Sequence, residues 1–264
     1  MHSKNVWEPK NRNIDQSGPA EKIRLNRYIA MSGRWSRREA DQLVFSGRVK
    51  VNGKTATSPA VRVVPGRDEV QVDGKTIHPA NEKVYILLNK PKDVITTRKD
   101  ERRRKTVMDL LPADLREMVF PVGRLDRQTT GLILLTNDGS LAHALTHPSS
   151  RVEKIYRVRL NKPITRTDLQ KLVEGVPLED GLSTFDEAAI LDEEKKMLGV
   201  RLHSGRNRII RRTFKALGYE VTHLDRTAFA GLTKKKLPRG HWRHLTPREV
   251  KRLFGQVPKT LTNK

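Results

Sequence analysis

The apolar residues of this sequence come in short runs bounded by glycine, proline or asparagine. Val84-Tyr85-Ile86-Leu87-Leu88 stops at Asn89-Lys90-Pro91, and Leu132-Ile133-Leu134-Leu135 starts just after Gly131. Such runs suit buried strands and fall far short of the ~20 residues of a membrane-spanning helix. Residues 119–122, 155–160 and 198–202 are further strand candidates. Ile190-Leu191 precedes the last of these across an Asp-Glu-Glu-Lys-Lys turn, a hairpin arrangement. Helical spacing is found at residues 165–174, with Leu169, Leu172 and Val173 turned inward, and at 206–217, ended by Gly218. Strands outnumber helices and no βαβ alternation or fixed repeat is present. The expected fold is therefore α+β, with a mixed or antiparallel sheet.

The first part of the chain has a different texture. Residues 1–21 are polar and aperiodic, and are expected to be a disordered basic tail or an extension without function. From residue 22, Leu25, Tyr28 and Ile29 recur at helical spacing. Ser36 then precedes Glu39 in a capping-box pattern, opening a helix with Ala40, Leu43 and Val44 on one face and Gly47 as its stop. Val49-Lys50-Val51-Asn52-Gly53 reads as a strand entering a hairpin, and Pro65-Gly66 and Asp73-Gly74 mark two more turns. This gives a helix–strand module over residues 22–82, a larger domain over 83–256 and a short tail over 257–264.

Charge narrows the partner. The chain has 53 Lys+Arg against 30 Asp+Glu, a net +23, which points to a polyanion. Arg34, Arg37 and Arg38 crowd the start of the module's second helix, where free amides already favour anions, and Arg48 and Lys50 follow its end. They form either an RNA-binding ridge or a solvated charged face; RNA contact is the favoured alternative. The absence of cysteine excludes disulfides, thiolate zinc sites and a cysteine nucleophile. The opening residues MHSKNVWEPKNRN have no apolar stretch of the secretory kind, so a cytoplasmic location is expected.

Generic catalytic motifs fail: there is no phosphate-binding Walker loop, GxGxxG, HExxH or GxSxG. His143 and His147 have metal-compatible spacing without a third ligand, and Asp126 and Asp138 are too far apart for a paired-carboxylate site. One segment stands out. Between Gly123 and Gly139 a glycine-bounded loop enters a buried strand and carries Asp126 between Arg124 and Arg127. By itself Asp126 is more often a loop cap or a partner of Arg124 than a catalytic group. Residues 201–215 hold six Lys and Arg and no acid. There Ile210, Phe214 and Leu217 form an apolar stripe that Arg211 borders, needing either a carboxylate partner or water for its head group.

The stretch from Gly123 to Gly139 closely resembles the nucleophile motif of the Rsu-type ribosomal RNA pseudouridine synthases. Arg24-Leu25-Asn26-Arg27-Tyr28-Ile29 through Ser36-Arg37-Arg38-Glu39-Ala40-Asp41 resembles their S-four-type RNA-binding module. Leu88-Asn89-Lys90-Pro91, Glu153-Lys154-Ile155-Tyr156 and Gly205-Arg206-Asn207-Arg208-Ile209-Ile210-Arg211-Arg212 match further motifs in the family's order, over residues 22–255. The resemblance implies a pseudouridine synthase domain behind the module. It makes Asp126 the catalytic aspartate, Tyr156 the ring packed on the target base and Arg211 the ion-pair partner of Asp126. Arg124, Ile210 and Lys90 support the site, and Arg208 and Arg212 join the module's arginines as RNA contacts. Ser204 and Ile209 stand where the family more often has Glu and Gln. The implied reaction converts a uridine of ribosomal RNA, with the large-subunit enzymes the nearer likeness, and calls for neither cofactor nor metal. The implied partner is ribosomal RNA or a pre-ribosomal particle, engaged by a monomer without a membrane. The rival classes are a non-catalytic RNA-binding or ribosome-assembly protein and, more remotely, a DNA-binding regulator.

Overall fold

The computed structural model describes residues 22–80 and 82–258; the proposed N-terminal tail and the end of the chain from 259 lie outside them. The chain divides into two compact units, the first closing at Pro79 and the second starting at Ala80.

In the first unit β1 (Ile23–Arg24) leads into helices α1 (Leu25–Met31) and α2 (Arg37–Phe45). The capping box at Ser36 and Glu39 forms, satisfying amides at the start of α2. Strands β2 (Val49–Val51), β3 (Lys54–Thr55), β5 (Val70–Val72) and β6 (Lys75–Ile77) make an antiparallel sheet in the order β3-β2-β5-β6, while β4 (Arg62–Val63) pairs with β1. Two hairpins turn at Asn52-Gly53 and Asp73-Gly74, all four residues having positive φ, the conformation that two-residue hairpins select. Leu25, Tyr28, Ile29, Ala40 and Val44 close the core over Val49, Val63 and Val70.

The second unit is built on a nine-stranded sheet. Its strands are β7 (Tyr85–Lys90), β8 (Phe120–Val122), β9 (Thr130–Thr136), β10 (Lys154–Leu160), β11 (Glu187–Ile190), β12 (Met197–Leu202), β13 (Val221–Phe229), β14 (Leu232–Thr233) and β15 (Trp242–His244). The main order is β11-β12-β10-β13-β9-β7-β15, with β8 on β9 and β14 on β13. Among the described residues the strands pair antiparallel, except for β13 and β9. These run parallel and touch only at Asp225–Thr130 and Arg226–Gly131. β8 takes the same side of β9 further along, at residues 134–136. The sheet therefore splits in its middle, where β13 leaves β9.

Alternation along the strands makes two apolar faces. Ile86, Leu88, Ile133 and Leu135 point to a core with α5 (Arg166–Glu174) and α6 (Ile209–Ala216). Leu87, Leu132 and Leu134 point to the other, with α4 (Gly139–Thr146) and α7 (Pro247–Gly255). A short helix α3 (Ala113–Met118) precedes β8.

Three expectations need correction. β7 does not stop before Asn89-Lys90: both residues lie in the strand and are buried, because their polar atoms find backbone carbonyls. α6 begins at Ile209, not at residue 206, because Arg208 is left-handed, with φ 45°, and starts the helix as its cap. Val173 is exposed while Leu172 is fully buried, so α5 presents a narrower apolar stripe than its sequence offers.

Candidate active site

The loop between β8 and β9 is fixed on both sides of Asp126. The Leu125 side chain is buried, its carbonyl accepts a hydrogen bond from Thr96 Oγ1 at 2.9 Å, and its amide donates back to the same oxygen at 3.2 Å. The Arg127 carbonyl accepts from the Asp93 amide at 3.0 Å and from Lys90 Nζ at 3.2 Å. The Thr129 amide closes the turn onto the Asp126 carbonyl at 3.0 Å. Gly131 lets β9 approach β13: at φ 108°, a Cβ there would lie 2.3 Å from the Arg226 carbonyl oxygen. Asp126 is thus held on a short tether, its carboxylate one-third exposed.

Lys90 lies beneath this loop, fully buried, and donates to the carbonyls of Val94 at 2.7 Å, Pro91 at 3.1 Å and Arg127. Burial pushes its ammonium down to about 8, with Asp126 and Asp93 opposing. Its role in the geometry is to anchor backbone.

Asp126 opens into a cleft of about 1050 Å³, which Arg124, Tyr156, Arg208, Ile210 and Arg211 also line. Tyr156, on β10, is 9 % exposed and pairs across the strands with Val200 and Arg226. Ile210 is buried in the wall. The cation nearest the carboxylate is not the expected one. Arg208 Nη1 stands 3.5 Å from Asp126 Oδ2, and Arg208 is exposed. Arg211 Nη1 instead donates to the Val221 carbonyl at 2.7 Å, which holds its guanidinium against β13, and its Nε is buried without a partner. The left-handed cap at Arg208 puts that side chain, one turn earlier than Arg211, at the loop. Arg211 still feels Asp126: burial lowers its pKa, Arg208 lowers it further, and Asp126 and Glu220 raise it.

Other expected residues fall elsewhere. Arg124 is exposed and, among the described residues, makes no ion pair, so it is not the partner of Asp126. Arg212 is held by both carboxylate oxygens of Asp180, and Arg48 pairs with Asp73 at 2.5 Å, so both cations already have acids. Arg34, Arg37, Arg38 and Lys50 are exposed on the first unit. Asp138 caps α4, donated to by the amides of Ser140 and Leu141. The His143 and His147 rings lie 5.3 Å apart and tilted, His147 Nδ1 is 2.7 Å from Ser149 Oγ, and among the described residues no group of three potential ligands could hold a metal.

The cleft also contains residues to which the sequence reading gave no role: Thr96, Lys154, Asp186, His203 and Arg226. Lys154 was within reach, being two residues before Tyr156 and so on the same strand face. Arg226 had no such signal, because acid and base together in 225–226 hide β13 from any apolar count.

Residues 84–216 match the family described as RNA pseudouridylate synthase, and residues 23–70 match the S4 domain. The ribosomal large subunit pseudouridine synthase B of Bacillus subtilis (strain 168) is 41 % identical over 87 % of this chain and 95 % of its own. The chain belongs to the RNA pseudouridine synthase family. This synthase is also 39 % identical to the dual-specificity RNA pseudouridine synthase RluF of Escherichia coli (strain K12), over 89 % of this chain and 80 % of that one. A crystal structure of a pseudouridylate synthase superposes with TM-score 0.65 at 29 % identity, covering 88 % of this chain and 99 % of the other. The synthase is therefore an isomerase with an S4 RNA-binding domain ahead of an α+β catalytic domain. No described helix is long and apolar enough to cross a membrane.

Proposed function

We propose that this synthase isomerises a uridine of large-subunit ribosomal RNA to pseudouridine, with Asp126 as the catalytic carboxylate. The observation that carries the proposal is the placing of Asp126. It is the cleft carboxylate whose loop is pinned on both sides, and it faces two arginines and a buried tyrosine. An ionised carboxylate beside cations is what attack at, or stabilisation of, the ribose carbon requires. The bond from that carbon to the base nitrogen breaks, a bond to a base carbon forms, and one proton moves from that carbon to the freed nitrogen. Product and reactant are isomers, so the balance needs no oxidant, reductant or added water.

In this reading Tyr156 holds the base by stacking and its hydroxyl helps to remove the ring proton. Turning the uridine out of its RNA context costs a few kcal/mol. Contacts from Arg124 and Arg208 at the cleft, and from Arg34, Arg37, Arg38 and Lys50 on the S4 domain, offset that through phosphates. The large-subunit substrate is supported by the Bacillus subtilis relative, whose name gives that substrate. Mapping pseudouridine across ribosomal RNA from cells with and without the gene tests it. A single large-subunit position lost with the gene is the expected result; an unchanged map contradicts the proposal.

A further inference from the structure

The wall of the cleft holds a second group of charged residues that the proposed chemistry does not use. Lys154 on β10 and Arg226 on β13 both line the cleft, and neither pairs with a carboxylate among the described residues. Of the carboxylates near them, Asp225 is taken up and Asp186 faces a histidine. Asp225 is held by Lys234, by Arg239 at 3.1 Å and by Thr130 Oγ1 at 2.8 Å. Asp186 lies 2.7 Å from His203 Nδ1. Arg226 is only 3 % exposed, and its orientation is set twice: Nε donates to the Leu132 carbonyl at 2.7 Å, and the guanidinium carbon lies 4.6 Å from the Phe229 ring centroid. Its Nη2 is buried without a hydrogen-bond partner. Lys154 is held in turn by the carbonyls of Val152 at 3.0 Å and His203 at 2.8 Å.

Two sheltered cations facing one cleft repel each other and leave donors unused, an arrangement that costs stability until an anion enters. Burial pushes the Lys154 ammonium down to about 8, Arg226 pushes the same way, and Asp186 opposes. A neutral base carbonyl would satisfy a donor but would not offset the charge; a phosphodiester does both. Arg226 is also the cross-strand neighbour of Tyr156, so an anion held there adjoins whatever the tyrosine holds.

We propose that Lys154 and Arg226 form an anion subsite for a phosphate adjoining the target uridine. The inference rests on the proposed function, which supplies the uridine. The subsite fixes the flipped nucleotide by its backbone while Tyr156 holds its base, a division between positioning and reading common in RNA recognition.

Calorimetry with uridine, uridine 5′-monophosphate, uridine 3′-monophosphate and inorganic phosphate tests it on the full chain. One of the two monophosphates is expected to bind about tenfold more tightly than uridine, and which one identifies the phosphate. Arg226→Gln and Lys154→Gln each remove most of that advantage while leaving uridine binding within about twofold, and Arg226→Lys restores part of it. Lys154→Gln leaves the Arg226–Leu132 bond in place, so it guards against misfolding of the Arg226 variants. No preference for either monophosphate, or a preference that survives both glutamine variants, overturns the subsite. Pseudouridine formation on transcribed large-subunit RNA is read separately. If the unaltered protein makes none, the proposed function fails; if it turns over but shows no phosphate preference, only the subsite does.

Discussion

Asp126 faces two arginines that differ in what else they hold, and the difference separates the roles proposed for them. Arg208 is exposed and free to swing from the loop to an RNA phosphate, and an exposed pair at 3.5 Å is worth ~1 kcal/mol or less. Arg211 is fixed by the Val221 carbonyl and half-buried, so its field on the carboxylate persists when RNA fills the cleft. Arg211→Ala is therefore expected to lower kcat about a hundredfold and change RNA affinity less than about threefold. Arg208→Ala is expected to weaken binding and leave kcat within about threefold. Single-turnover rates with saturating and limiting RNA separate the two, and the reverse pattern contradicts the assignment. Asp126 and Tyr156 were singled out by their place in motifs that resemble the family's, and both line the cleft. The Arg208–Asp126 contact could not, since it depends on one left-handed backbone residue, and arginine carries no local signal for that conformation.

Elements with an apolar stripe or a turn signal were legible: α2 with its capping box, the two hairpins of the first unit, β9 and β10. β13 was not, although it lies at the centre of the sheet and carries Arg226. Its Asp225 and Arg226 break the alternation, and they are buried only because Lys234, Arg239, Thr130 and Leu132 receive them from elsewhere in the chain. Helix α7 shows a signal that was there to read. Thr246, Pro247 and Glu249 form a capping box with proline in the first turn, and Glu249 also pairs with Arg243 at 2.7 Å. That bond with Arg243 is the main cause holding the Glu249 carboxyl at about 2, against an ordinary 4.5. As pH falls, the unfolded chain binds this proton first. The stabilisation is therefore complete above about 4.5 and is lost as pH falls towards 2. Glu249→Gln is expected to lower the denaturation midpoint at pH 6 and to match the unaltered protein near pH 2. A gap that persists unchanged at low pH contradicts this account.

Across the whole molecule, the +23 net charge resolves into cations with different tasks. Some are used internally: Arg48 on Asp73, Arg212 on Asp180, and Lys90 on three carbonyls. Others remain exposed, among them Arg37 and Arg38 on the S4 domain, and these are the ones proposed to release counterions on meeting RNA. Arg37→Ala and Arg38→Ala are each expected to reduce the slope of log affinity against log salt by roughly 0.7 to 1, without altering the rate of the bound complex. An unchanged slope would remove them from the interface. Net charge thus indicated a polyanion, while the proposed reaction is assigned to one acid among these bases. The most direct measurement replaces that acid by its neutral isostere. Asp126→Asn is expected to melt at the temperature of the unaltered protein and to bind ribosomal RNA at least as tightly. Its pseudouridine formation should fall by ~10³-fold or more. Pseudouridine formed at an undiminished rate by this variant would contradict the central claim.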